Sequence, residues 1–256
     1  MNGRAGKIAS TSAAAGGAAN ALVKTLWGTV ATVLSVLYTV VLVILAALFA
    51  PVAQGRVVAG IARLWGRMIL FTCGVRLQID GLENLAGLPG YVLAANHQSL
   101  LDILALAAYM PGQIRFVAKK ELLRLPLFGV ALAHSGHIVI DRETGGRAIR
   151  KAIEGARMGL SFCVFAEGHR FSDNQVHEFS DGAAWIAIAT HLPCVPTTIC
   201  GSVALMPRGA FIVNPGRRML IRLGKPILTA GLRSADRHAL TRRLEEAVRS
   251  ALIPEP

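Results

Sequence analysis

The 256-residue chain is long enough for one large α/β domain with a packed core, or for one domain plus an appendage. Its hydrophobic content of 53% is high for a purely soluble protein, and its formal net charge of +12 points to nucleic acid or to an anionic membrane surface as partner. Aromatics are only 6%, and there is no arginine-rich helix with interleaved aromatics and no zinc-finger spacing, which argues against a nucleic-acid-binding protein.

Residues 1–20 are rich in Ala, Gly and Ser and carry too little apolar bulk to pack, which predicts a disordered tail. Arg4 and Lys7 precede a polar stretch instead of an apolar one, unlike a signal peptide. From Trp27 to Ala53 there is no charge, and Lys24 and Arg56 close the two ends. About 20 apolar residues suffice to cross a hydrocarbon core, so this segment predicts a membrane-associated helix. Next comes RVVAGIARLWGRMILF, where offsets of seven and four bring Arg56, Arg63 and Arg67 onto one helical stripe. Val57, Ile61, Leu64, Trp65 and Met68 lie opposite, the pattern of a helix in the interface with arginines at the headgroups. Residues 21–73 therefore read as a membrane-associated helical hairpin, with basic residues on both sides of its first helix and only a lean from the positive-inside rule.

Residues 74–256 alternate short apolar runs with helical periods. Candidate strands start at Val75, Tyr91, Ile114, His137, Phe162, Cys194, Ala210 and Met219. Helices fit over Leu100–Tyr109, Leu125–Ala133, Gly146–Met158, Gly182–His191 and Asp236–Leu252. Near-continuous apolar strands alternating with helices predict an α/β domain, a mixed, mostly parallel sheet covered by helices on both faces. The cysteines Cys73, Cys163, Cys194 and Cys200 each sit in an apolar stretch without a C-x-x-C pair, and read as buried thiols of a reducing compartment.

The strand YVLAA ends at Asn96-His97, and Asp102 follows five residues after the His. In open α/β sheets ligands bind at the carboxyl ends of strands. Were both residues in one helix, a five-residue offset would set them about 140° apart. With His97 in the turn before the helix and Asp102 in its first turn, the ring lies back over the helix start. One imidazole nitrogen then bonds the carboxylate and the other faces the cleft as a base. No G-x-S-x-G nucleophile motif exists, and Ser99 reads as a helix cap. A base without a protein nucleophile points to direct activation of a substrate hydroxyl or a water.

Other strand ends add charge. FAEGHRF brings Glu167, Gly168 and Arg170 into a turn, and the planar guanidinium fork matches phosphate or carboxylate oxygens. Lys119 and Lys120 follow one strand and Asp141-Arg142 another. One His–Asp pair and several cations suit a hydroxyl substrate that carries a phosphate, beside an apolar surface. His134, His137, His169 and His177 lack the tight grouping of a zinc site, and no metal is expected.

Taken together, the motifs resemble the 1-acylglycerol-3-phosphate acyltransferase family of membrane glycerolipid acyltransferases, over roughly Arg56 to the C-terminus. NHQSLLD resembles its N-H-x-x-x-x-D block, KKELLRLPLFG with HIVIDR its second, FAEGHR its F-P-E-G-T-R block, and LPCVPTTI its V-P-x-x-I block, with Pro196 as the proline. Two departures are Ala166 and His169 in the third block, and Ser180-Asp181 where a lysine often precedes the glycine.

The resemblance implies His97 and Asp102 as catalytic residues, with Asn96 and Pro196 as motif support. Arg170, Glu167, Gly168, Lys119, Lys120 and Arg142 would form the phosphate-binding set. It implies transfer of a fatty acyl group from acyl-CoA or acyl carrier protein to the sn-2 hydroxyl of lysophosphatidic acid, giving phosphatidic acid. No acyl-enzyme, metal or cofactor is implied, and backbone N–H groups near the helix start are candidates for stabilising the oxyanion. The implied location is an anionic membrane, on the cytoplasmic face. A different acceptor, such as glycerol-3-phosphate, a lyso-amino-acid lipid or another lysophospholipid, is the near alternative. A non-catalytic lipid-binding membrane protein is the distant one.

Overall fold

A computed structural model of the chain describes residues 3–49, 56–124, 132–133, 136–140 and 145–253. Two helices come first, α1 over Gly3–Phe49 and α2 over Arg56–Thr72. The helix runs back to Gly3, where composition predicted a disordered tail. Alanine has the highest helix propensity, and extending an existing helix avoids the cost of nucleation. Ala19–Phe49 is long and apolar enough to cross a membrane, and residues such as Val36, Leu37 and Leu48 lie open on its surface.

Seven strands form one sheet in the order β1-β7-β6-β2-β5-β3-β4. They are β1 Arg76–Asp80, β2 Val92–Ala95, β3 Gln113–Lys119, β4 Ile138–Ile140, β5 Leu160–Phe165, β6 Cys194–Cys200 and β7 Arg218–Leu223. All pairings are parallel except β6 with β7. The central strands β2 and β6 are buried at every residue, because helices cover both faces. Leu93, Ala95, Cys163 and Ile199 face one core, and Val92, Ala94, Phe162 and Val164 the other. Helix α3 (Leu100–Tyr109) covers the first face, while α4 (Gly145–Arg157), α5 (Gly182–Thr190) and α6 (Arg237–Ala251) cover the second.

Helix α2 shares the first core with the sheet through Ile69 and Leu70. Its Gly66 permits close approach to α3, since a Cβ there would lie 2.5 Å from the Leu104 carbonyl oxygen. The arginine stripe expected at headgroups turns toward the domain instead. Arg63 donates to the Met110 and Gly112 carbonyls at the end of α3, and the Arg67 guanidinium stands 5.6 Å from the centroid of the Tyr109 ring. Cations at a helix C-terminus are favoured by its unpaired carbonyls. The Arg56 side chain lies outside the described residues.

The expected strand from Ala210 is absent, and residues 210–213 form an irregular connection between β6 and β7. Only Val213 of that run is buried, with its N–H bonded to Thr32 Oγ1 of α1. Of the helix expected over Leu125–Ala133, only residues 132–133 are described, and they are helical.

Candidate active site

The carboxyl ends of β2, β5 and β6 form one edge of the sheet. Asn96, fully buried, fastens that edge: its side-chain amide donates to the Ile199 carbonyl at 2.9 Å and its oxygen accepts the Ile199 N–H at 2.7 Å. The fixed end of β2 then delivers His97 into the turn before α3. Ser99 is the N-cap of α3 and forms a reciprocal capping box with Asp102.

Asp102 Oδ2 accepts three N–H groups, from Gln98 and Ser99 at 2.8 Å each and from His97 Nδ1 at 3.0 Å. With Nδ1 donating to the carboxylate, the neutral ring has Nε2 as its basic atom. The His97 ring stacks on Phe165 at 3.9 Å between centroids, which fixes its plane. Its side chain keeps 11% exposure, toward the cavity that it lines. At the helix start the N–H groups of His97, Gln98, Ser99, Leu101 and Asp102 are engaged within the protein.

Glu167 does not bond Arg170 as a phosphate ligand set would suggest. Glu167 is 8% exposed, and its carboxylate accepts the backbone N–H of His97 at 2.8 Å and that of His177 at 2.9 Å. Burial raises its pKa, and those two hydrogen bonds oppose the rise. Glu167 therefore positions the His97 turn against the 171–178 loop, with one oxygen bonded to each. The Phe171 N–H returns to the His97 carbonyl at 3.0 Å and completes the brace.

Gly168 holds φ at +69°, a conformation that side-chain-bearing residues rarely adopt, and so turns the chain after Glu167. His169 and Arg170 follow and line the same cavity as His97. Ala166, at the usual proline position, donates its N–H to the Ala95 carbonyl at 2.9 Å, a bond that proline lacks. Asp181 points away from the site and holds Arg237, His238 and Thr241 of α6.

The cavity measures about 1120 Å³. Leu42 and Ala46 of α1, Val58 and Ile61 of α2, and Leu100 and Ile103 of α3 make one wall apolar. His97 and Arg170 sit in its lining with that wall, so a base, a cation and a greasy slot share one space. Lys120 opens the helical turn after β3 and is exposed, and it is outside that lining. The Lys119 side chain and all of Arg142 lie outside the described residues. Pro196 also lies away from the cavity: it packs on Gly224, whose N–H its carbonyl accepts at 2.8 Å.

Three roles were not read from the sequence. Phe165 supplies the stacking plane, Trp65 and its α2 neighbours supply the apolar wall, and His137 caps a strand edge. His137 Nδ1 accepts the Phe116 N–H at 2.9 Å, and burial, aided by nearby Arg115, lowers its pKa to about 3. The apolar periodicity of α2 was the available signal for the wall.

Comparison with known proteins agrees with this geometry. The Acyltransferase family model matches residues 76–200. The chain is 31% identical over 192 residues to 1-acyl-sn-glycerol-3-phosphate acyltransferase alpha of Bos taurus, covering 73% of this chain and 67% of that protein. It is 30% identical over 194 residues to the 1-acyl-sn-glycerol-3-phosphate acyltransferase of Cocos nucifera, covering 74% and 61%. The crystal structure of the 1-acyl-sn-glycerophosphate (LPA) acyltransferase PlsC from Thermotoga maritima superposes with a TM-score of 0.70 at 27% identity, covering 90% of this chain and 94% of that one. The chain belongs to the 1-acyl-sn-glycerol-3-phosphate acyltransferase family and is an O-acyltransferase.

Proposed function

We propose that the protein transfers a fatty acyl group from a thioester, acyl-CoA or acyl carrier protein, to the sn-2 hydroxyl of 1-acylglycerol-3-phosphate. His97 Nε2 takes the hydroxyl proton as the oxygen attacks the thioester carbonyl. The imidazolium formed is held by the Asp102 carboxylate at Nδ1. The tetrahedral intermediate collapses, the C–S bond breaks, and the proton passes from His97 to the departing thiolate. No acyl-enzyme forms, and the products are phosphatidic acid and a free thiol.

Arg170 binds the acceptor phosphate, with His169 beside it and with Lys119, Lys120 and Arg142 as further cations of that edge. The apolar wall from α1, α2 and α3 holds acyl chain. The acceptor lipid reaches it from a membrane in which α1 is embedded, and the thioester donor from the cytoplasmic side, where such donors are made. The observation that carries this reading is the His97 ring, oriented by Asp102 and Phe165 in a cavity that Arg170 also lines. Purified protein given oleoyl-CoA and lysophosphatidic acid in vesicles should yield phosphatidic acid and free CoA in equal amounts. Acylation of a lyso-amino-acid lipid or of glycerol-3-phosphate in preference would replace the acceptor assignment.

A further inference from the structure

We infer that the connection between β6 and β7 inserts Phe211 and Ile212 into the same lipid leaflet that α1 occupies, and so forms a second membrane contact at the catalytic edge of the sheet. The inference rests on the membrane reading of α1 given above.

Phe211 is 87% exposed and Ile212 is 50% exposed. A single exposed hydrophobe needs no explanation, whereas a contiguous patch does. Here the run continues the open apolar surface of α1. The Ile212 side chain and the Val213 carbonyl both lie against α1 at Gly28, and the Val213 N–H bonds Thr32 Oγ1 at 3.2 Å. On the faces of α1 turned away from Gly28, Val30 and Val33 are more than half exposed, and Trp27, next to Gly28, is 42% exposed. The Trp27 indole donates to the Thr72 carbonyl at 3.1 Å, and the preceding Phe71 is again 87% exposed. Tryptophan beside exposed aliphatic residues suits the headgroup boundary. Exposed Arg208 precedes the run, and exposed Arg217 and Arg218 follow it. Arginines flanking an apolar tip meet anionic headgroups while the tip sits in acyl chains. That charge arrangement, and the continuity with α1, favour lipid over a protein partner.

The same connection touches the catalytic turn. Ser99, the cap of α3, donates its hydroxyl to the Met206 carbonyl at 2.9 Å, and the Arg208 N–H bonds Ser172 Oγ at 2.8 Å. The Asn214 N–H closes the base of the loop on the Leu205 carbonyl at 2.8 Å. A loop seated in lipid thus holds the His97 turn at the height of the headgroups, where the acceptor hydroxyl lies.

The test uses the full chain in vesicles of phosphatidylcholine and phosphatidylglycerol. Phe211→Cys and, as a separate variant, Leu37→Cys on the open face of α1 receive an environment-sensitive fluorophore. The four native cysteines are buried. Lipids carrying a nitroxide on the acyl chain then quench whatever is inserted. We expect quenching at both positions. Quenching at 37 with a water-exposed, unquenched label at 211 overturns this inference and leaves the membrane reading of α1 standing. Failure at both positions removes both. A blue shift at 211 that follows protein concentration and not lipid quencher identifies a protein contact and also overturns it. In a second arm, Phe211→Ser with Ile212→Ser should lower the rate on vesicle-borne lysophosphatidic acid about tenfold or more. Activity on a short-chain, monomeric acceptor should not move, and the melting temperature should fall only slightly, since Ile212 gives up part of its contact with α1. Equal loss on both acceptors would mean that the loop only shapes the site.

Discussion

Asp102→Asn separates the catalytic and structural duties of one carboxylate. The substitution keeps the volume and one oxygen, but it removes the charge that the His97, Gln98 and Ser99 donors share. Hydrogen bonds to charged groups contribute about 1.5–3 kcal/mol and neutral ones about 0.5–1.5. Neutralising the acceptor therefore weakens each bond by about 1 kcal/mol, or about 3 kcal/mol for the three. For a chain of this size that corresponds to a fall of roughly 6–12 °C in melting temperature. The catalytic cost comes on top. The ring loses the partner that holds the Nδ1–H tautomer, and the imidazolium of the transition state loses its counter-charge. General-base catalysis typically contributes 10²–10⁴-fold, so kcat should fall within about that range with the acceptor KM nearly unchanged. The assay is thiol release from acyl-CoA in the presence of lysophosphatidic acid, below the variant's melting temperature. A destabilised variant whose kcat stays within a few-fold of wild type would show that Asp102 only caps α3.

Other substitutions test the neighbouring assignments. Arg170→Ala should cut kcat/KM for lysophosphatidic acid roughly 10–150-fold, the value of one charge-assisted contact, with Arg170→Lys rescuing only part. An unchanged activity ratio between lysophosphatidic acid and an uncharged monoacylglycerol would mean that Arg170 does not read phosphate. Glu167→Ala strands one buried N–H, at about 1–3 kcal/mol, and one part-buried N–H that water can partly satisfy, so calorimetry should find a drop in stability with kcat falling alongside it. An unchanged melting temperature would dismiss the brace. His137 is held neutral in the fold, with its pKa lowered to about 3 against an ordinary 6.5. The unfolded chain then takes up the proton first, so the His137 contribution is whole above pH 6.5 and erodes below it by at most ~1.4 kcal/mol per pH unit. Denaturant titrations of His137→Gln should accordingly show a shallower acid slope than wild type between pH 6.5 and 4, and parallel slopes would refute this.

Much of the sheet was legible because its central strands are short apolar runs closed by polar or glycine-rich turns, as in β2, β5 and β6. The apolar run at 210–213 misled for the same reason: its residues face α1 and the outside, not a sheet neighbour, and composition does not distinguish these. The arginine stripe of α2 was visible as periodicity, but its direction depends on where the end of α3 lies. At the site, the helix-geometry argument correctly required His97 in a turn and Asp102 in the first turn of α3. The role of Glu167 was not readable, since its partners are backbone N–H groups ten and seventy residues away. A carboxylate next to an arginine in sequence suggests an ion pair, and backbone donors leave no mark in composition.

The central claim is that His97 is the base for direct attack by the acceptor hydroxyl. Its most direct test is the rate of phosphatidic acid formation from acyl-CoA and lysophosphatidic acid by purified, folded His97→Ala beside wild type in the same vesicles. The account predicts that wild type forms phosphatidic acid and that the variant is slower by about 10²-fold or more, with its membrane binding unchanged and its melting temperature lowered by the loss of the Asp102 bond and the Phe165 stacking. A folded variant that retains near wild-type turnover would contradict it.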